Sequence, residues 1–160
     1  MARMSKDAYY LNIALAVSKR STCLKRHYGC IIVKDDRIVA TGYNGSPRGE
    51  VNCCDIGVCK RANAERYSDY TLCESVHAEQ NAILSASSEE LKDAVIYLAC
   101  EEKVESNRII QTIEKGACVV KDYKWIEDAN PIPCPLCERM IKNANIAKVI
   151  NGKGIVYSRK

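Results

Sequence analysis

Two short stretches, His77-Ala78-Glu79 and Pro133-Cys134-Pro135-Leu136-Cys137, lie far apart in the chain yet carry the donor set of one metal centre. The fold must therefore bring them together. One imidazole and two thiols fill three positions of a tetrahedral zinc and leave the fourth to water, whose pKa the metal lowers to about 7. Structural zinc sites close all four positions, so an open set points to catalysis. On a regular helix, positions i and i+2 lie about 200° apart, so His77 and Glu79 can face one metal only from a first helical turn whose axis points at it. Cys134 and Cys137 are i and i+3 and share a face. Pro133 and Pro135 stop a helix from entering from upstream, and Pro135 suits a first helical position. Both thiols are thus expected at a helix N-terminus, where the dipole favours thiolate. An isolated C-x-x-C would serve a structural zinc knuckle as well. The knuckle has no use for Glu79, which stands ready as an acid and base.

The chain has 160 residues, 47% of them hydrophobic, enough for one domain with a self-sufficient core. No apolar run approaches the roughly 18 residues of a membrane span, and the start MARMSKD lacks a signal-peptide profile. The expected location is cytoplasmic, without membrane contact. Ten cysteines in such a setting read as thiols and metal ligands rather than disulfides. A net charge of +4 suits an anionic small molecule and weak nucleic-acid contact alike.

Helical and strand patterns alternate along the chain. Tyr10, Ile13, Ala14 and Val17 predict a first helix over about 5–20. Cys30-Ile31-Ile32-Val33 and Ile38-Val39-Ala40-Thr41 flank Asp35-Asp36 and predict a hairpin. A Gly- and Cys-rich loop follows over about 42–74. A helix beginning near His77 follows, with Val76, Gln80, Ile83 and Leu84 along one side, and Ala94 to Ala99 reads as a buried strand. A helix over 134–145 precedes strands at Ala147–Ile150 and Ile155–Tyr157. This order implies a three-layer α/β/α domain with a central mixed sheet.

The arrangement H-x-E…P-C-x-x-C is the known signature of zinc-dependent nucleobase deaminases. Three further segments sharpen the likeness: Arg20-Ser21-Thr22-Cys23 with Gly29, Gly42-Tyr43-Asn44-Gly45-Ser46-Pro47, and Val76-His77-Ala78-Glu79-Gln80-Asn81-Ala82. With these, most of the chain resembles the deoxycytidylate deaminase family of the cytidine deaminase-like superfamily. The Gly-Tyr-Asn-Gly segment discriminates best, although taken alone it would read as an ordinary turn after a strand. The resemblance implies a zinc held by His77, Cys134 and Cys137, and hydrolysis of dCMP to dUMP and ammonia, supplying dUMP for thymidylate synthesis. Glu79 would take a proton from water, deliver it to N3 of the base and then assist loss of the amino group. It implies that Asn44 and Ala78 contact the nucleotide, a homo-oligomer, and regulation by dCTP and dTTP, for which the sequence carries no separate phosphate motif.

The family has few residues between the strand ending at Ala99 and Pro133, whereas this chain has about thirty. Ser106–Lys115 reads as a helix stopped by Gly116, and Ala117–Val120 as a strand. The chain is thus expected to be a single domain over 1–160 with an inserted α/β segment at about 101–130. Its place beside Pro133 suits a lid, an oligomer contact or a change in the accepted base.

Cys23, Cys53, Cys54, Cys59 and Cys73 lie between the first helix and the zinc helix. Four thiolates could close a structural zinc that orders the loop, with Lys60 and Arg61 offsetting the charge. Similar proteins place such a metal on the positions of Cys23 and Cys53; Cys59 and Cys73 complete the set, Cys54 is the alternate, and free thiols are the alternative. Cys30, Cys100 and Cys118 read as strand residues. A substrate phosphate needs cations or amides near the sugar end, for which Arg26 and Arg48 are the candidates beside Lys25. Another cytosine nucleoside or nucleotide, or a tRNA base, is the rival substrate. RNA binding is disfavoured by one Trp, no Phe and no long basic run. A zinc-stabilised binding or scaffold protein is the non-enzymatic alternative, and it would not need Glu79.

Overall fold

The computed structural model describes residues 2–65, 68, 70–106, 122–128 and 130–160. Helix α1 (Lys6–Ser18) begins where the Ser5 hydroxyl accepts from the Ala8 amide, a side-chain cap on its first turn. Strands β1 (Arg26–Lys34) and β2 (Arg37–Tyr43) form the expected hairpin, paired from Gly29↔Tyr43 to Lys34↔Arg37. Asp35 and Asp36 take φ of 48° and 61°. Two positive φ values give the tight turn that matches the twist of the flanking strands. The Asp36 carboxylate also ties this turn to α1, accepting from the Tyr10 hydroxyl at 2.8 Å and from the Lys6 ammonium at 2.6 Å.

Beyond the hairpin come α2 (Cys53–Ile56), a 3₁₀ turn at Tyr70–Leu72, α3 (Ala78–Leu84), α4 (Ser88–Leu91), β3 (Val95–Ser106), β4 (Asp122–Asp128), α5 (Pro135–Asn143), β5 (Lys148–Asn151) and β6 (Gly154–Ser158). The sheet runs β2-β1-β3-β5-β6, with β4 against the distal half of β3. β3 and β5 are parallel and the other pairs antiparallel, so the sheet is mixed, as expected.

Alternation along each strand divides the core into two layers. Ile31, Val33, Tyr97 and Ala99 face Tyr10 and Ala14 of α1. Cys30, Ile32, Ile96 and Leu98 face Ala78 and Ala82 of α3 and Ile141 of α5. The three-layer α/β/α architecture follows. Two glycines let the helices come unusually close to the sheet. A Cβ on Gly29 would lie 1.9 Å from the Ala14 carbonyl oxygen, and one on Gly42 would lie 2.2 Å from that of Ala78. Only a bare backbone fits at either point, one on each face.

That closeness decides which residues of α3 are buried. Its buried residues are Ala78, Glu79 and Ala82, while Leu84 is 75% exposed. A helix resting on Gly42 presents small side chains to the sheet, and the larger ones turn outward. β3 also runs farther than Ala99, and Ser106, expected to open a helix, ends this strand. The distal half of β3 carries Glu101, Glu102 and Lys103, which hid it, and β4 pairs with it from Cys100↔Asp128 to Ser106↔Asp122. The rest of the expected insert helix and the strand at Ala117–Val120 lie outside the described residues. No described helix is long and apolar enough to cross a membrane.

Candidate active site

His77 is extended, with φ −73° and ψ 157°, and stands immediately before α3. Its backbone amide donates to Gln80 Oε1 at 2.8 Å, which fixes the turn into the helix. Val76 and Gly45 exchange backbone hydrogen bonds of 2.8 and 3.1 Å, and Asn81 Nδ2 donates to the Tyr43 carbonyl. The Gly-Tyr-Asn-Gly segment thus holds the start of α3 in place. Cys134 occupies the corresponding position before α5, with Pro135 first in the helix, and its sulphur accepts from the Cys137 amide at 3.5 Å. Upstream, the buried Asn151 amide donates to the Pro131 carbonyl at 2.8 Å and to Asn130 Oδ1 at 3.1 Å. This clasp fixes the chain two residues before Pro133. Both helix starts therefore converge, as the spacing required.

His77 Nδ1 lies 3.4 Å from Cys134 Sγ and 3.3 Å from Cys137 Sγ, across 57 and 60 residues of chain. A tetrahedral zinc with ordinary bond lengths separates a ligand nitrogen from a ligand sulphur by about 3.5 Å. The three ligand atoms lie within 4.8 Å of one another, and no other such trio occurs among the described residues. The donor set fits zinc. Hydrogen bonding from Cys137, reinforced by His77, lowers the Cys134 thiol far below its ordinary value. Cys137 is raised, first by its bond to Cys134, and His77 is raised by its bond to Cys134. The three groups share protons that a bound metal would displace.

Glu79 is 4% exposed, in the first turn of α3. Burial raises its carboxyl above the ordinary range, against the opposing pull of nearby amides and His77. A carboxyl so placed can hold or release a proton nearer neutrality than a solvated one.

His77, Glu79 and Cys134 line a cavity of about 770 Å³, together with Ala78, Asn44 and Arg26. Asn44 is buried and much of its side chain is already committed. Its Oδ1 accepts from the Tyr28 amide and the Ser21 hydroxyl at 2.7 Å each, and its Nδ2 donates to the Arg26 carbonyl at 3.0 Å. One amide hydrogen remains for a ligand. Arg26 is ion-paired with Glu102 on the neighbouring strand. Arg48 is exposed and is absent from the described lining. The cavity also takes Arg61, Lys103 and Tyr70. Arg61 drew notice in the sequence only as a countercharge for thiolates, and Tyr70 and Lys103 drew none. No periodicity marks residues in a loop, and Lys103 sits in the unforeseen half of β3.

Cys23, Cys53, Cys59 and Cys73 are partly buried, and Cys54 is exposed. The Cys53 thiol is raised by burial and then by the nearness of Cys23, Cys73 and Cys59. All four lie near enough to interact through Cys53, but their sulphurs do not gather as closely as the ligand atoms of the first trio.

The chain matches the family described as "Cytidine and deoxycytidylate deaminase zinc-binding region" over residues 4–153. It is 40% identical over 111 residues to a protein named deoxycytidylate deaminase from Schizosaccharomyces pombe, covering 64% of this chain and 34% of that one. A protein of the same name from Saccharomyces cerevisiae is 34% identical over 148 residues, covering 91% and 45%. The chain thus spans less than half the length of these two relatives. The crystal structure of dCMP deaminase from the cyanophage S-TIM5 in apo form aligns with a TM-score of 0.56 at 26% identity, over 92% of this chain and 83% of that one. Sheet order, paired helix starts and a matched region that takes in every residue of the trio all agree: the chain belongs to the cytidine and deoxycytidylate deaminase zinc-binding family.

Proposed function

We propose that this chain is a zinc-dependent hydrolase that converts dCMP to dUMP and ammonia, with residues 1–160 acting as one catalytic domain that includes the 101–130 insert. The observation that carries this reading is the buried Glu79 carboxyl in the same cavity wall as His77 and Cys134, whose ligand atoms group with that of Cys137. The relatives named deoxycytidylate deaminase support the choice of base and sugar.

His77, Cys134 and Cys137 hold the metal, which when bound supplies Lewis-acid activation of a water molecule. Glu79 accepts a proton from the attacking water as the new bond forms at C4 of cytosine. The same carboxyl gives that proton to N3, then takes the proton of the new C4 hydroxyl and passes it to the amino group, which leaves as ammonia while the C4 carbonyl forms, so it ends as it began. Burial suits Glu79 to both roles, because a raised carboxyl pKa brings proton release and proton return closer in free energy. Asn44 offers its remaining amide hydrogen to the nucleotide, and Ala78 forms the floor beside the base. Arg26 faces the phosphate and must leave Glu102 to do so, which makes it a better candidate than the exposed Arg48.

Cys23, Cys53, Cys59 and Cys73 form a second, structural zinc site, which the gathering of three thiols around Cys53 supports. A homo-oligomer, regulation by dCTP and dTTP and a cytoplasmic location complete the reading, on the family resemblance.

The test is ammonia release from dCMP, CMP, deoxycytidine, dCTP and a tRNA anticodon arm, with wild type, Glu79→Gln and Arg26→Ala. Wild type should favour dCMP. Glu79→Gln should retain fold and zinc and lose several orders of magnitude in rate. Arg26→Ala should raise KM for dCMP while leaving deoxycytidine nearly unchanged. Equal use of dCMP and deoxycytidine by wild type would refute the nucleotide assignment, and unchanged turnover in Glu79→Gln would refute the mechanism.

A further inference from the structure

A zinc-bound histidine is ordinarily held by an acceptor at its second ring nitrogen, which fixes both tautomer and ring angle. His77 lacks that arrangement. Its Nδ1 points at the two thiols, and Nε2 meets no hydrogen-bond acceptor among the described residues. The imidazole instead meets an aromatic ring. The Tyr70 ring lies 5.6 Å from it, centroid to centroid, tilted by 50°. Tyr70 sits in the short 3₁₀ turn Tyr70–Leu72, near the end of the long loop.

Arg61 bears on the other side of this contact. Its guanidinium carbon stands 5.3 Å from the Tyr70 ring centroid, within cation–π range. The same guanidinium donates through Nη2 to the Glu65 carbonyl at 3.1 Å and to the Ser68 carbonyl. Lys25, next to β1, donates to the carbonyls of Arg61 and Ala62 at 3.0 and 2.9 Å and joins this stretch to the sheet. A continuous path therefore runs from the sheet through Lys25, Arg61 and Tyr70 to the imidazole. Arg61 and Tyr70 both line the cavity, so the path forms part of its wall.

We propose that Tyr70, held by Arg61, is the positioning residue for the His77 imidazole and substitutes by ring packing for the usual hydrogen-bond acceptor. The inference rests on the reading of His77, Cys134 and Cys137 as a zinc site.

The test uses the full chain reconstituted with zinc, and separately with cobalt(II), whose visible bands report ligand geometry. The reporter is the part of each signal that His77→Ala abolishes, which separates this site from the loop thiols. Tyr70→Phe keeps the ring and should match wild type within about threefold in zinc affinity. Tyr70→Leu should weaken zinc by roughly 10- to 100-fold, the usual scale when a ligand's outer support is lost, and should shift the cobalt bands. Should Tyr70→Leu fail to fold, Arg61→Gln carries the test, because it loosens Tyr70 and keeps the ring; faster zinc release is expected. A folded Tyr70→Leu, or failing that Arg61→Gln, with wild-type affinity and spectrum overturns the proposal. If His77→Ala removes no metal signal at all, the zinc assignment itself fails and the positioning role falls with it.

Discussion

Replacing Gly42 with alanine adds one methyl group at the place where α3 rests on the sheet. That carbon would lie 2.2 Å from the Ala78 carbonyl oxygen and 2.5 Å from the Ala82 nitrogen, both backbone atoms that cannot rotate away. Real Cβ atoms essentially never approach within 3.0 Å and ordinary contact begins near 3.4 Å, so α3 must retreat by about 0.8 Å or more. Overpacking of this kind costs about 1–3 kcal/mol in stability. The larger effect falls on chemistry, because α3 begins at His77 and carries Glu79 in its first turn. A 1 Å misplacement of a catalytic group costs on the order of 100-fold in rate. Gly29→Ala is the matched control: its Cβ would lie 1.9 Å from the Ala14 carbonyl oxygen, an equally hard clash, but against α1, which carries none of the trio and not Glu79. Thermal denaturation, zinc content and kcat for dCMP should be measured for both. Both variants should lose stability, and only Gly42→Ala should lose kcat per folded, zinc-loaded molecule. Similar kcat in the two would refute the claim that the glycine sets the position of the catalytic helix.

Two further outcomes are expected. Elemental analysis of metal-replete protein should approach two zinc per chain, and Cys59→Ser or Cys73→Ser should lower Tm while leaving the His77-dependent metal in place; one zinc per chain, lost only with His77, Cys134 or Cys137, would leave the loop thiols free. Asp36 is held below its ordinary value of about 3.9, first by Lys6 and then by Tyr10. A depressed carboxylate stabilises the fold above its unfolded pKa, and the contribution disappears as pH falls through the folded value. The Tm deficit of Asp36→Asn should therefore be present at pH 7 and shrink below pH ~4, and a deficit constant with pH would refute this account.

The sequence contained the site in unusual detail because metal ligation is a local chemical demand. The i, i+3 spacing of Cys134 and Cys137 with Pro135 between them could be satisfied at few places other than a helix start, and the His77 pair needed the same. The hairpin was legible from two apolar runs about Asp35-Asp36. Tertiary closeness was not. Nothing local says that Gly42 lies against Ala78, so the burial of Ala82 and the exposure of Leu84 could not be read from the pattern. The charged half of β3 depends on partners in β1 and β4 rather than on its own pattern, as its pairs His27↔Glu101 and Lys103↔Trp125 illustrate. Asn44 carried a family expectation of ligand contact, yet most of its side chain holds Tyr28, Ser21 and Arg26 in place. Tyr70 and Arg61 sit in a loop, where only assembly reveals a neighbour.

The Asn151 clasp on Asn130 and Pro131 has a consequence for how such a chain tolerates change. It joins the approach to α5 to a buried residue at the end of β5, and Asn151 Oδ1 in turn accepts from the Lys153 amide at 2.8 Å. Everything from Pro131 to Cys137 is thereby referenced to the sheet, and the Asn130 amide donates to Asp128 Oδ1 at the end of β4 as well. Residues can be added or removed between the end of β3 and the start of β4 without that change in length reaching the thiols. Long and short versions of this segment can then share one metal centre, which leaves its sequence free to diverge while the chemistry a few residues on stays fixed.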